Sequence, residues 1–361
     1  MGPSVLRLSI NQPDFDRQFD KLVNGRREAE ADVSAIVEQT IRDVRARGDV
    51  ALLELTERFD GFSLSEQGWQ ISADECKAAY KSLAPELQDA LKLAAQRIKA
   101  YHKAQLPKDR DYQDKQGVRL GARWGAVDAA GVYVPGGRAA YPSSVLMNAI
   151  PAKVAGVGRL VMVTPTPQGE VNPTVMAAAY LAGVDEIWRL GGAQAIAALA
   201  YGTDRIAPVD VITGPGNAWV AEAKRQLYGV VGIDMVAGPS EIVVVADGKN
   251  KPEWIAADLL SQAEHDPTSQ SILFTDDAEF ADKVSAEVDK QLAILATTKV
   301  ATESWQSNGA IVVVDKLETA MPLVNRLAAE HLELAVDDKR AERLFELVRH
   351  AGSVFLGRMT P

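Results

Sequence analysis

Apolar residues recur along this chain in two different rhythms. Over residues 32–59, Val33, Ile36, Val37, Ile41 and Val44 fall three or four positions apart, a spacing that lays one apolar stripe along a helix. Arg47-Gly48-Asp49 punctuates that run, and Phe59-Asp60-Gly61 closes it with a turn signal. A second stripe of Leu87, Leu91, Ala94, Ala95 and Ile98 predicts a helix over 85–105. Residues 1–25 are polar with scattered apolar positions, and 6–10 predict an edge strand.

From about Val118 the rhythm changes to short apolar runs alternating with helical stretches. Strands are predicted at 118–124, 131–134, 159–164, 186–190 and 209–213, with helices at 143–157, 173–183, 193–201 and 217–228. The alternation then restarts. Strands are predicted at 242–246, 271–275, 310–314, 332–336 and 352–356, with helices at 252–265, 277–295, 317–329 and 339–349. Continuous apolar strands separated by helices predict parallel sheets covered on both faces. The chain therefore reads as two α/β units in series after a helical start, meeting near Ala237-Gly238-Pro239-Ser240. No repeat is visible at residue level.

Composition narrows the class. The 361 residues are 47% apolar and 24% charged, enough to build large cores, and the formal net charge is −10. Without a dense Lys/Arg cluster, that balance argues against nucleic acid and anionic membranes as partners. A single cysteine, Cys76, excludes an intrachain disulfide framework. No run approaches the length of a membrane span, and the N-terminus lacks a signal-peptide core, so a cytoplasmic location is expected.

Four turns stand where a strand hands over to a helix: Pro135-Gly136-Gly137, Gly191-Gly192-Ala193-Gln194, Gly214-Pro215-Gly216-Asn217 and Ala237-Gly238-Pro239-Ser240. Glycine permits close approach of backbone N–H groups, and a following helix N-terminus favours anions, so these turns suit a phosphate-bearing ligand. Glycine is equally common in βα loops that bind nothing. The G-x-G-x-x-G fingerprint is absent, so a nucleotide would sit in a non-standard way.

Two polar intrusions break the apolar pattern at element boundaries. In Ser261-Gln262-Ala263-Glu264-His265-Asp266-Pro267, Gln262 and His265 are three apart and share a helix face, which suits a metal. On chemistry alone, a capped helix end is the commoner reading. In Ala328-Ala329-Glu330-His331-Leu332-Glu333-Leu334, a carboxylate adjoins an imidazole, a pair able to divide acid and base labour. Alone, that pair also fits a solvated helix end. His102 and His350 read as surface residues on amphipathic or charged helices.

Six ordered motifs together carry more than each alone. Gly131-Val-Tyr-Val-Pro-Gly-Gly137, Gly191-Gly-Ala-Gln-Ala-Ile-Ala197, Gly214-Pro-Gly-Asn217 with Ala221-Glu-Ala-Lys-Arg-Gln226, Gly238-Pro-Ser-Glu241, Ser261-Gln-Ala-Glu-His265 and Ala329-Glu-His-Leu-Glu-Leu334 follow one another as in histidinol dehydrogenase. The chain resembles that family over nearly its whole length. The resemblance implies two tandem, incomplete Rossmann-like units, and oxidation of L-histidinol through the aldehyde to L-histidine by two NAD in succession. It also implies a zinc-dependent homodimer. On this resemblance Tyr133, Gln194 and Asn217 contact NAD, Ser240 contacts substrate, and Gln262 and His265 bind Zn²⁺ and the substrate side of the site. Glu330 and His331 form the catalytic pair, with His331 also touching substrate. The expected domains are an arm over 1–25, a first α/β domain of 26–132 with 240–361, and a second over 133–239. The resemblance further implies a zinc-ligating aspartate and a tail beyond Pro361 that crosses to a partner subunit. The zinc site is therefore expected to be incomplete within these residues and turnover impaired. A dehydrogenase of another amino alcohol and a non-catalytic ligand-binding relative remain the alternatives.

Overall fold

In the computed structural model, residues 5–28, 33–136, 141–236, 238 and 240–359 are described. Gly137 of the first glycine turn, Ala237 and Pro239 of the join, and the final Thr360 and Pro361 lie outside them. The chain divides into two units, Met1–Glu30 with Gly238–Pro361 (unit one) and Ala31–Ala237 (unit two).

The chain begins in unit one with β1 (Leu6–Ser9) and α1 (Phe15–Glu28). Unit two starts with five helices: α2 (Ser34–Arg47), α3 (Asp49–Asp60), α4 (Leu64–Gln67), α5 (Ala73–Ser82) and α6 (Pro85–Gln105). The last covers the predicted stripe, with Pro85 at its first position, where a missing N–H costs nothing. Helix α5 was not predicted, although Ser72 and Glu75 form a complete capping box at its start.

An exposed antiparallel hairpin follows, β2 (Arg110–Gln113) with β3 (Arg119–Ala122). Then come β4 (Ala129–Tyr133), α7 (Pro142–Ala155), β5 (Arg159–Val163), α8 (Pro173–Ala182), β6 (Glu186–Trp188), α9 (Gly192–Tyr201), β7 (Val211–Thr213), α10 (Ala218–Leu227) and β8 (Gly232–Ile233). The five parallel strands lie in the order β6-β5-β4-β7-β8.

The chain then re-enters unit one with β9 (Glu241–Ala246), α11 (Pro252–Ala263), β10 (Gln270–Thr275), α12 (Ala278–Leu292) and α13 (Thr298–Asn308). It ends with β11 (Ala310–Val313), α14 (Leu317–Leu327), β12 (His331–Ala335), α15 (Asp338–Phe345) and β13 (Ser353–Leu356). This sheet is also parallel, in the order β1-β11-β10-β9-β12-β13.

Counted from its own first strand, each unit has the order 3-2-1-4-5, and unit one adds β1 at its edge. That is a doubly wound sheet stopping one strand short of the six-stranded Rossmann order. The duplication invisible among the residues is thus plain in the topology.

Both faces of each sheet are buried, which is why the strands read as continuous apolar runs. In unit one, Val243, Val245, Leu332 and Leu334 face α1, α14 and α15. Ile242, Val244, Ala246 and Ala335 face α11, α12 and α13. In unit two, Tyr133, Val161 and Val163 pack with α2, α3, α9 and α10. Val132, Leu160 and Met162 pack with α5, α6, α7 and α8.

The expected domain boundaries differ from these units. Residues 31–132 belong with the following sheet rather than with 240–361. Val37, Ile41 and Val44 of α2 and Leu52 of α3 share a core with Ile196 and Leu199 of α9. The expected 1–25 arm is instead part of unit one. Leu6–Ser9 pairs with Ala310–Val313, and Phe19 packs edge-on against Phe274.

Candidate functional site

The expected substrate, metal and catalytic residues all belong to unit one, and they gather at the amino edge of its sheet. Ser240 precedes β9, Gln262 lies in the last turn of α11, His265 follows it, and His331 opens β12. Ligands of open α/β sheets usually bind at the opposite, carboxyl edge.

That carboxyl edge is closed by ion pairs. Asp247, just after β9, receives both guanidinium nitrogens of Arg358, at 2.6 and 2.9 Å. Arg340 reaches Asp276 at 3.1 Å and Glu318 at 3.0 Å. Burial pushes the Asp247 carboxyl up, but the Arg358 hydrogen bonds and charge hold it below the usual carboxylate range. The two arginines are therefore already neutralised and offer little to an anion.

The expected catalytic pair is placed by a strained turn. Helix α14 ends at Ala328, a non-glycine residue in the left-handed conformation at φ 52°. Such a backbone costs an alanine about 1–2 kcal/mol. Buried Ala329 anchors the segment, and Glu330 is thrown outward before His331 enters the sheet. The Glu330 N–H donates to Oε2 of Glu241 at 3.3 Å.

His331 lies at 3.1 Å through Nδ1 from the backbone carbonyl of Glu241. A carbonyl only accepts, so Nδ1 carries the proton and the neutral ring keeps its lone pair on Nε2. The Glu330 carboxylate stands 3.6 Å from Nδ1, and the Phe355 ring stacks on the imidazole at 6.1 Å. Glu241 thus positions both members of the pair. It stood in the motif Gly238-Pro-Ser-Glu241, but only the fold brings it beside residues some ninety positions away.

Gly352 supports the same turn. Its N–H donates to Ala329 and that of Ser353 to the Glu330 carbonyl, at 3.1 and 2.8 Å. A Cβ at position 352 would stand 2.6 Å from the Glu330 carbonyl oxygen. Gly352→Ala is expected to push Glu330 and His331 out of place. Misplacement near 1 Å can cost about 100-fold in rate, so turnover should drop at least about tenfold. A kcat equal to that of the unsubstituted protein would contradict this.

At the metal candidate, the Gln262 Oε1 is buried and has no hydrogen-bond donor. An unpaired buried amide oxygen is costly in a merely capped helix end, whereas a cation would satisfy it. His265 is exposed, its N–H bonded to the Gln262 carbonyl at 3.1 Å. These two donors fit a metal chemically. Among the described residues no cluster of three His, Cys, Asp or Glu side chains completes a site. The Ser240 carbonyl accepts from Gln270 at 3.0 Å, which ties the strand entry of β9 to that of β10.

Tyr133, Gln194 and Asn217 belong to unit two, at the carboxyl edge of its sheet. Tyr133 ends β4 and Asn217 follows β7, the neighbouring strands where the winding reverses. Asn217 is exposed and caps α10 through its side-chain oxygen, which accepts from Val220 at 3.2 Å. Tyr133 is buried, and its hydroxyl accepts the Gly192 N–H at 3.1 Å. Burial and the nearby Asp60 charge push the phenol up to about 12, against the opposing Gly192 bond. Gln194 is also buried.

The glycines here serve loop packing as much as ligand approach. A Cβ on Gly136 would stand 2.4 Å from the Pro165 carbonyl oxygen, and one on Gly191 2.5 Å from the Pro165 side chain. The turn before Asn217 is held by two residues the sequence did not single out. Lys224 is buried, donates to the Gly214 carbonyl at 3.0 Å and pairs with Asp234. The Asp234 Oδ2 accepts the Gly214 N–H at 2.8 Å.

Comparison with known proteins matches residues 24–361 to the family model for histidinol dehydrogenase. The chain is 63% identical over 357 residues to the histidinol dehydrogenase of Zymomonas mobilis, covering 99% of this chain and 83% of that protein. It is 59% identical to that of Rhodospirillum rubrum, covering 99% and 82%. The fold superposes on the crystal structure of histidinol dehydrogenase from Elizabethkingia anophelis with a TM-score of 0.91 and 34% identity, covering 99% and 81%.

Proposed function

This chain belongs to the histidinol dehydrogenase family, and we propose that the amino edge of unit one oxidises L-histidinol to L-histidine in two steps, with NAD as hydride acceptor. It is an oxidoreductase of histidine biosynthesis. The single observation that carries the residue assignment is the Nδ1 contact of His331 with the Glu241 carbonyl.

That contact leaves Nε2 as a fixed base. In the first step Nε2 takes the hydroxyl proton of histidinol while hydride leaves the carbinol carbon for NAD, giving the aldehyde and NADH. Glu330, half in solvent at the rim, then takes a proton from water as the oxygen adds to the aldehyde. The hydrate loses a proton and a second hydride, giving the carboxylate and a second NADH. Ser240 lies on the same edge and is assigned to substrate.

The donor set of Gln262 and His265 suits zinc, although glutamine is an uncommon ligand. Bound zinc supplies positive charge that orients the nitrogen groups of the substrate. Ordinary zinc sites have three or four protein ligands. With only two among the described residues, the 361-residue chain is expected to lose zinc readily to a dilute chelator. Metal content measured after chelation and gel filtration checks this, and near one zinc per chain would contradict it.

Asn217 and the turns around Gly192 and Gly214 are assigned to NAD, with Tyr133 and Gln194 supporting them from beneath. Their place beside the β4/β7 reversal supports the assignment. Among the described residues no helix is long and apolar enough to cross a membrane. A homodimer is the proposed assembly, to be checked by sizing in solution. The function itself is tested by following NADH release from L-histidinol against other amino alcohols. Preference for another alcohol would redirect the substrate assignment.

A further inference from the structure

The chemistry proposed above uses neither Asp258 nor Glu333, yet both lie in unit one below the polar edge, Glu333 buried and Asp258 half-buried. Glu333 is fully buried on β12, and neither carboxyl oxygen finds a hydrogen-bond donor. The register places His331, Glu333 and Ala335 opposite Ile242, Val244 and Ala246 of β9. Those three, with Ala335, line the core facing α11. Glu333 therefore points to the same side of the sheet as His331, two residues deeper along the strand. Asp258 lies on α11, one helical turn before Gln262 and on the same helix face. Helix α11 runs back between two parallel strands, so its C-terminal end stands at the amino edge of the sheet. Gln262 and His331 occupy that edge, and Asp258 and Glu333 form a layer one turn beneath.

The two carboxyl groups interact with each other. Burial first, then the neighbouring Asp258 carboxyl, push Glu333 up to about 9, and burial raises Asp258 to about 6. Among the described residues no lysine, arginine or histidine forms an ion pair with either. The surroundings supply no alternative partner. Opposite Glu333 stand Val244 of β9 and Phe355 of β13. On α11 the neighbouring Ser261 hydroxyl donates to the Asp258 carbonyl. From β10, the Ser271 hydroxyl is spent on the Leu259 carbonyl. The lysines Lys283 and Lys290 of α12 sit in exposed pairs with Glu279 and Glu287, and α13 buries Ala301, Ser304 and Trp305. His331, Glu330 and Glu241 are the titratable groups above. Two neighbouring carboxyls in such a place, with no cation beside them, do not both ionise readily.

We propose that Asp258 and Glu333 share one proton, Glu333 donating to Asp258, and that this bridge is a positioning device. It holds the last turn of α11, and with it Gln262, level with His331 of β12. The bridge stands on the geometry of unit one alone. Its value to catalysis rests on the reaction proposed above.

The pH dependence has a definite sign. Between the ordinary glutamate value near 4.5 and about 9, the folded chain keeps a proton that the unfolded chain has released. Stability therefore falls as pH rises through that window. The test compares the full chain with Glu333→Gln, which offers an N–H to the Asp258 anion, and with Glu333→Ala, which offers nothing. Melting temperature is measured from pH 5 to 9, and histidinol oxidation at neutral pH. Glu333→Gln should lose much of the decline toward pH 9 and keep kcat within about threefold of the unsubstituted chain. Glu333→Ala should lose at least tenfold in kcat with the KM for NAD unchanged. Equal slopes of melting temperature for the unsubstituted chain and Glu333→Gln would overturn the shared proton. Unimpaired turnover by Glu333→Ala would overturn the positioning role. If the unsubstituted chain does not oxidise histidinol, the proposed reaction fails, and the pH slopes still decide the bridge.

Discussion

With His331 replaced by asparagine, histidinol oxidation is expected to fall about 10²–10⁴-fold, the range for loss of a positioned general base. Asparagine is the informative choice. Its side-chain nitrogen can stand where Nδ1 stands and still donate to the Glu241 carbonyl, 3.1 Å away in the present structure. The strand entry then keeps its hydrogen bond, while the lone pair of Nε2 is gone. The loss should therefore appear in kcat with little change in melting temperature. Leu332 and Leu334 continue to anchor β12 in the core whatever stands at the strand's first position. Comparable losses of stability and activity would instead mark His331 as a packing residue on Phe355.

Replacing Asp234 by asparagine is expected to destabilise unit two by about 3–5 kcal/mol, the cost of leaving a buried charge without its partner. Lys224 is 1% exposed, so its ammonium cannot turn to water. Only the Gly214 carbonyl would remain beside it. The asparagine oxygen can still accept the Gly214 N–H, while its amide nitrogen takes the place of the Oδ1 that pairs with Lys224 and accepts the Met235 N–H. Adding Lys224→Met removes the stranded ammonium, and the double variant should recover a large part of the loss. Urea unfolding of the three variants reads both effects. Additive losses in the double variant would contradict the pairing. A weakened turn at Gly214 also predicts a raised KM for NAD, because that turn leads directly into Asn217.

Much of this architecture was legible because local and global signals agree. The apolar stripe of 85–105 is a helix with those bounds, and the strands of both sheets, apart from the two-residue β8, appear where the sequence predicted them. Four helices were missed, the four-residue α4 (Leu64–Gln67) among them, and the three longer ones each for a physical reason. Helix α13 buries only Ala301, Ser304 and Trp305, too few to show a period. Helix α5 buries Cys76 alone and announces itself only by its capping box. Helix α1 gains its place from Phe15 and Phe19 stacking in a core completed some 250 residues later. The two units differ from the expected domains for the same reason. Nothing local in 31–132 states which sheet those helices will cover, and α2 finds its partner in α9.

The candidate site divides similarly. Glu330, His331, Gln262 and His265 stood out as polar intrusions at element ends. Glu241, Lys224, Asp234, Asp258 and Glu333 did not, because each acts through a partner brought close only by the fold. A glutamate inside Leu332-Glu333-Leu334 reads as an ordinary strand position. Only its complete burial and its place beneath His331 give it meaning. Tyr133 was expected to meet the cofactor, and the structure sets its hydroxyl under the Gly192 turn.

The measurement closest to the central claim is the yield of NADH per L-histidinol consumed, with a carbonyl reagent present to trap free aldehyde. The unsubstituted chain is predicted to form two NADH per histidinol. Glu330→Gln should stop after one, with trapped aldehyde accumulating, and His331→Asn should form almost none. Two NADH per histidinol at an unchanged rate from the His331→Asn variant would contradict the assignment of catalysis to this edge of the sheet.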